Sequence, residues 1–366
     1  MTTVHRVHNF SAGPAVLPLV VLEEIQRDLI ALPGVGMSIL EISHRSKVFE
    51  SILARAEADL RQLAGVPSGY KVLFLQGGAS LQFAMVPMNL LGADTTADYI
   101  DTGSWAEKAI QEAVKVGSVH IAASSKADSY SRVPSQSEFR LVPGSAYVHI
   151  TTNNTIEGTQ FHGVPDVGNV PLVGDTSSEM FSRPIDVSRY GLIYAGAQKN
   201  MGPAGLTVVI VRDDLLQRSK ARASVLPIMM NYAVMSEHGS LYNTPPTFAV
   251  YVLGLVMKWL IARGGLAAMD VANKRKASKL YAEIDRTGFY RGTAQKDSRS
   301  LMNVTFRLSS PELEKQFIKE CTSAGLDGLA GHRSVGGMRA SIYNAFPEEG
   351  VDALVAFMRD FERAKG

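Results

Sequence analysis

One lysine has an unusual setting. Lys199 lies in "YAGAQKNMGPAGLTVVIV" (194–211), just past the apolar run "GLIYAGA" (191–197) and just before "LTVVIV" (206–211). Gln198, Asn200 and the small turn-forming residues "MGPAG" surround it. A lysine amine held at the end of a buried strand is partly desolvated, which disfavours its charged form. It then becomes available as a nucleophile or a general base. The obvious use of such an amine is a Schiff base to an aldehyde cofactor, pyridoxal phosphate.

That cofactor makes three further demands. Its ring nitrogen needs an anionic partner so that the protonated ring acts as an electron sink. Asp175 ends "PLVGD" 24 residues before Lys199, and neighbouring strands lie about 4.8 Å apart, so two adjacent strand ends can serve nitrogen and aldehyde. The phosphate needs donors. "LQGGASLQFAMVPMNLL" (75–91) reads as strand, Gly-Gly turn and helix, and a helix start offers free N–H groups and a favourable dipole. No Gly-Lys-Ser/Thr follows, so it is not a P-loop. Ser177 and Gln198 add side-chain donors. The ring needs a flat cover, and Trp105 opens the helix after "YIDTGS". Taken singly, each has a plainer reading: Lys199 as a surface loop lysine, Asp175 as an N-cap ahead of "TSSEM", Trp105 as core packing.

The elements that must position these residues alternate. "FESILARAEADLRQLAG" has a helical period and stops at Gly65. "YKVLFLQ" (70–76), "VHIAAS", "AYVHITT" (146–152), "PLVGD" (171–175), "GLIYAGA" and "LTVVIV" are short β-rich runs bounded by turn residues, while "SWAEKAIQEAVKVG" (104–117) reads as a helix. Several strands are apolar on both faces, as in a sheet covered by helices on both sides. The expected architecture is α/β: a mainly parallel sheet sandwiched by helices, followed by a smaller α/β unit from about residue 260. There a long charged helix (about 266–286), "SLMNVTFRL", "SPELEKQFIKECTSAG", "MRASIYNA" and a final helix follow one another. In such a sheet ligands bind beyond the carboxyl ends of the strands, where Lys199 falls.

Composition narrows the function classes. The 366 residues are 46% hydrophobic, enough for a sizeable core. With 37 basic and 35 acidic residues and no long basic run, nucleic acid is not an expected partner. The apolar stretch "FAVYVLGLVMKWLIA" (248–262) is shorter than a membrane span and carries Lys258, so it reads as a buried helix. "MTTVHRVHNFSAGPAVLP" has no apolar region of the kind that a signal peptide carries. One cysteine, Cys321, rules out a disulfide framework within the chain and fits a reducing compartment. A cytoplasmic protein without membrane contact is expected.

Together "NFSAGP", "SHRS" (43–46), "LQGGAS", "TGSW", "HITTNNTIEGTQ", "AGAQKNMGPAG", "SLYNTPPTF" and "GHRSVGGMRASIYNA" resemble the phosphoserine aminotransferases, members of the class V group of fold-type-I pyridoxal-phosphate enzymes. The resemblance runs in order from residue 9 to about 346. It implies amino transfer between glutamate and 3-phosphohydroxypyruvate, giving O-phosphoserine and 2-oxoglutarate. It places the Schiff-base lysine at Lys199, the ring-nitrogen partner at Asp175, the stacking aromatic at Trp105 and the ring-hydroxyl partner at Thr155. Ala79, Ser80, Ser177 and Gln198 would hold the cofactor phosphate, with Asn243 and Thr244 reaching in from the other subunit of a homodimer. Some members carry Gly-Arg where this chain has Ala79-Ser80, so contacts there should be mainly backbone N–H. The substrate phosphate falls to His44-Arg45 and His332-Arg333 and its α-carboxylate to Arg339, consistent with arginine as the bidentate partner of both groups. No metal is implied. The expected division is a large cofactor-binding domain, 15–259, and a small domain of 1–14 and 260–366.

Two other readings remain at this point. A desulfurase or lyase of the same fold needs a mobile loop cysteine, but Cys321 falls on an apolar stripe with residues 313, 317 and 318 of a helix and is expected in the core. A non-catalytic relative would have no need of the full lysine, aspartate and arginine set.

Overall fold

The computed structural model describes residues 6–366; residues 1–5, part of the expected small domain, lie outside the described residues. Seven strands form the central sheet, in the spatial order Tyr70–Leu75, Thr207–Arg212, Leu192–Gly196, Leu172–Asp175, Val148–Thr151, Thr96–Asp101 and Ser118–Ser124. All neighbours run parallel except Thr207–Arg212, which is antiparallel to both strands beside it. This is the mainly parallel sheet that the sequence predicts.

The strands are apolar on both sides because both sides are covered. Along one strand Val208 and Ile210 enter one core and Val209 and Val211 the other, the two-residue alternation of a pleated strand. The first core includes Phe74, Ile150 and Ile193, packed by the helices Lys47–Ala64 and Thr247–Ala262. The second includes Leu75, Tyr99 and Tyr194, packed by Gly78–Leu90 and Ser104–Ala113. Ser46 caps the Lys47–Ala64 helix by accepting from Phe49 N. Thr247–Ala262 is the expected buried apolar helix, and its Lys258 reaches out to Glu24 at 3.1 Å. Among the described residues no single helix is long and apolar enough to cross a membrane.

A bend of 82° separates Thr247–Ala262 from the next helix, Gly265–Ile284. Beyond it lies the smaller α/β unit. Its three-stranded antiparallel sheet comprises Arg291–Gly292, Asn303–Arg307 and Met338–Ser341, covered by Gly265–Ile284, Pro311–Ser323 and Glu348–Lys365. A third core, including Phe306, Phe317, Ile342 and Phe361, also takes in Phe10. His8–Asn9 runs parallel to Leu326–Asp327, which ties the start of the described chain to this unit. Cys321 is fully buried there, and burial pushes its thiol pKa up, as expected of a core residue.

Two expectations change. The helix expected over 104–117 ends at Ala113, because the last residues tighten into a turn (Gly117 N donates to Ala113 O at 3.1 Å) before the strand Ser118–Ser124. The helices Leu19–Asp28, Asp213–Ala221 and Tyr232–Glu237 were not expected.

Candidate active site

The carboxyl ends of the parallel strands converge on one place. Asp175 is the last residue of its strand, opposite Thr151 on one side and Tyr194 on the other. Its side chain is 5% exposed, and Oδ1 accepts from Ser177 N at 3.0 Å. No helix follows, so this is a local turn bond and not an N-cap. Burial raises the carboxyl pKa, against the Ser177 hydrogen bonds and the nearby Lys199 amine.

Lys199 sits in a tight loop between two antiparallel strands. Ala197 N donates to Leu206 O at 2.9 Å, closing the loop, and Gly202 N returns to Ala197 O at 2.8 Å. The loop is braced from the N-terminal segment by Ala15 N, which donates to Gln198 O at 2.8 Å. Lys199 Nζ donates to Thr155 Oγ1 at 2.7 Å. Burial lowers the amine pKa to about 8; attraction to Asp175 opposes the shift and repulsion from Arg339 adds to it. Arg339, on the strand Met338–Ser341, donates from Nη1 to Thr155 O at 3.4 Å. Its Nε is buried without an acceptor among the described residues, and burial lowers its pKa too. One threonine therefore joins the lysine of the large sheet to an arginine of the small one.

Trp105 lies in the first turn of Ser104–Ala113. It packs on Phe83, with ring centroids 6.4 Å apart, and its centroid is 6.0 Å from Lys199 Nζ. Lys108, one turn on, places its amine 4.1 Å from the ring centroid. Opposite, the glycine turn predicted before the Gly78–Leu90 helix is present. Gly77 has φ 86°, and a Cβ there would lie 2.5 Å from Leu81, so only glycine fits. Intrahelical bonding begins with Leu81 N to Gly77 O, and the Ala79 and Ser80 amides ahead of it have no acceptor among the described residues. Ser177 Oγ accepts from Gly196 N at 3.1 Å and lies beside the Asp175 carboxyl. Gln198 makes no side-chain hydrogen bond among the described residues.

The other expected residues divide. His332 bonds Ser334 Oγ through Nδ1 at 2.7 Å; burial, then the charges of Arg339, Lys108 and Arg333, lower its pKa. The 332–333 pair thus lies within electrostatic reach of Arg339. His44 and Arg45 sit in the turn before the Lys47–Ala64 helix, Arg45 exposed and His44 Nε2 buried without a partner among the described residues. No hydrogen bond or ion pair joins them to His332, Arg333 or Arg339 among the described residues. Among the described residues the Asn243 side chain donates only to Thr244 O, at 3.1 Å. Neither Asn243 nor Thr244 is bonded to the Lys199 cluster.

Two residues near the site were not foreseen: Lys108, and Glu157, which bonds Ser104 and, with Arg339, lines a cavity of about 550 Å³. A lone glutamate inside "NNTIEGT" gives no sign of a partner 53 residues away.

The donor set fits pyridoxal phosphate. It offers a neutralisable amine, a buried carboxylate with spare acceptor capacity, a hydroxyl beside the amine, an aromatic face, and uncommitted amides at a helix start. The comparisons agree. The model of the family described as aminotransferase class-V matches residues 7–354. The phosphoserine aminotransferase of Herpetosiphon aurantiacus is 55% identical over 361 residues, covering 98% of this chain and 99% of its own. Among solved structures, the phosphoserine aminotransferase of Bacillus circulans subsp. alkalophilus superposes with a TM-score of 0.96 at 54% identity, covering 99% of each chain. The PLP-bound phosphoserine aminotransferase of Trichomonas vaginalis gives 0.91 at 39% identity, covering 97% of this chain and all of that one. With this match across almost its whole length, the chain belongs to the class V aminotransferase family.

Proposed function

We propose that the chain is a phosphoserine transaminase, moving the amino group between glutamate and 3-phosphohydroxypyruvate to give O-phosphoserine and 2-oxoglutarate. The observation that carries this reading is the enclosed Lys199 amine, bonded to Thr155 and within the field of Asp175. When bound, pyridoxal phosphate supplies the carbonyl that takes the amino group and the ring that accepts the electron pair.

The chain's residues do the rest. Lys199, made less basic by burial, holds the cofactor and, once displaced, moves the proton at the substrate Cα as general base. Asp175 keeps a proton on the ring nitrogen through its charge. Thr155 holds the ring hydroxyl and Trp105 covers the ring. Ala79 and Ser80 amides, Ser177 and Gln198 take the cofactor phosphate. Asn243 and Thr244 complete that cradle from a second copy of the chain in a homodimer, consistent with their lack of any bond to the site in their own chain. His44, Arg45, His332 and Arg333 hold the substrate phosphate, and Arg339 the α-carboxylate. The division into 15–259, and 1–14 with 260–366, belongs to the same proposal; the third core, which includes Phe10, supports it. The same proposal places the enzyme in serine biosynthesis in the cytoplasm. Complete burial of Cys321 speaks against desulfurase chemistry, which needs an accessible thiol.

The test is a steady-state assay with glutamate and either 3-phosphohydroxypyruvate or unphosphorylated hydroxypyruvate, alongside the visible absorbance of the purified protein. Glutamate should bleach that absorbance, and the phosphorylated acid should restore it at far lower concentration. Equal use of the two acids would refute the phosphate sites.

A further inference from the structure

The helix Ser104–Ala113 carries the expected ring cover in its first turn, yet it has no cap of its own. The residue before it is Gly103, and no side chain of the preceding turn accepts from its amides. The acceptor comes from far along the chain. Glu157 Oε1 accepts from Ser104 N at 2.8 Å and from Ser104 Oγ at 2.7 Å. A carboxylate at a helix start is favoured by the dipole as well as by the bonds. The fit is close: a Cβ on Gly103, whose φ is 153°, would lie 2.7 Å from Glu157 Oε2 and 2.7 Å from Asn154 Oδ1.

The main chain of Glu157 faces the other way. Its carbonyl accepts from Thr305 Oγ1 at 3.0 Å. Thr305 is the cross-strand partner of Arg339 in the small sheet. Two residues before Glu157, Thr155 bonds the Lys199 amine and offers its carbonyl to Arg339. One short loop thus touches the lysine, the helix of Trp105 and the strand of Arg339.

We propose that Glu157 is a positioning residue: by capping the Ser104–Ala113 helix it holds Trp105 at its set angle over the cofactor ring, and through Thr305 it ties that cover to the arginine strand of the small sheet. The proposal rests on Trp105 being the ring cover.

The protein has two tryptophans, so Trp259→Phe leaves Trp105 as the sole indole reporter. In that parent three variants are compared. Glu157→Gln keeps an oxygen acceptor for Ser104. Glu157→Ala removes it. Glu157→Asp keeps the charge but falls short by one methylene, and serves should the alanine variant fail to fold. Two quantities are read: acrylamide quenching of Trp105 emission in the cofactor-free protein, and the rate at which the loaded protein loses cofactor to a trap. Glu157→Gln should match the parent. Glu157→Ala and Glu157→Asp should quench more readily and lose cofactor roughly five- to tenfold faster, the scale of a lost helix cap. Parental behaviour of both the alanine and aspartate variants overturns the proposal, and so does equal damage in all three. Failure of the ring-cover assignment is separable: it would show as unchanged Trp105 emission when the parent binds cofactor.

Discussion

Thr305 and Arg339 stand directly opposite each other across the small sheet, and both reach into the same loop of the large unit, Thr305 to Glu157 O at 3.0 Å and Arg339 to Thr155 O at 3.4 Å. A single antiparallel pair therefore couples the arginine expected to take the substrate carboxylate to the threonine beside the Lys199 amine.

Lys199→Ala should abolish transamination while leaving the fold intact. On the proposed assignment both the covalent anchor and the general base are lost, so kcat should fall by several orders of magnitude. Stopped-time assays of product, with circular dichroism as the fold control, check this. Turnover near that of the unmodified protein would remove Lys199 from the mechanism.

The lowered amine sets a pH dependence. Below about 8 Lys199 is mostly protonated and a poor nucleophile; above it the amine is free. Cofactor uptake by the cofactor-free protein should therefore accelerate through about pH 8 and level off, instead of climbing toward the ordinary lysine range near 10.4. Asp175 holds the amine pKa up, so Asp175→Asn should shift the midpoint downward. Stopped-flow absorbance from pH 6.5 to 10.5 gives both midpoints, and an upward shift in Asp175→Asn would contradict the assigned charge coupling.

Arg45→Ala or Arg333→Ala should impair use of the phosphorylated substrate while sparing the cofactor spectrum. A charge-assisted hydrogen bond is worth roughly 1.5–3 kcal/mol, or about 10- to 100-fold in kcat/KM. Arg339→Ala should weaken glutamate and phosphoserine alike, because both carry the α-carboxylate. Kinetics with each amino donor separates the cases: loss confined to phosphoserine in Arg339→Ala would mean the two anion sites are reversed.

A site shared between subunits predicts complementation. The double variant Asn243→Ala/Thr244→Ala and Lys199→Ala should each be poor or inactive alone. Mixed under conditions that exchange subunits, they should regain activity, because one site of each mixed dimer pairs an intact lysine with an intact loop from the other chain. If the loop served its own chain, every site would carry one defect. No rescue, with exchange confirmed by differently tagged chains, would reject the shared site.

The sheet was legible because strands such as "LTVVIV" are apolar on both faces and are bounded by turn residues. The direction of Thr207–Arg212 was not, since a doubly buried strand has the same composition whichever way it runs. Lys199 and Asp175 stood out because both are polar residues at the ends of apolar runs. Lys108 and Glu157 did not, because their partners, the Trp105 ring and the Ser104 amide, are set by tertiary packing and not by sequence spacing. The helix Asp213–Ala221 was missed for a related reason: its buried positions are few, Leu215, Leu216 and Ser219, and they give little periodic signal.

The reversed strand also bears on how far apart in sequence the site's parts lie. Leu192–Gly196 and Thr207–Arg212 are joined by the loop that carries Lys199, so this pair is a local hairpin, and pairing close in sequence forms with little loss of loop entropy. The partners of the lysine come from much farther away: Asp175 lies 24 positions upstream, Thr155 44, and Arg339 140 positions downstream. The amine is thus carried on a hairpin closed by pairing near in sequence, while the groups around it are brought in by distant stretches of chain. The reaction centre is assembled from one short-range turn and three long-range chain crossings.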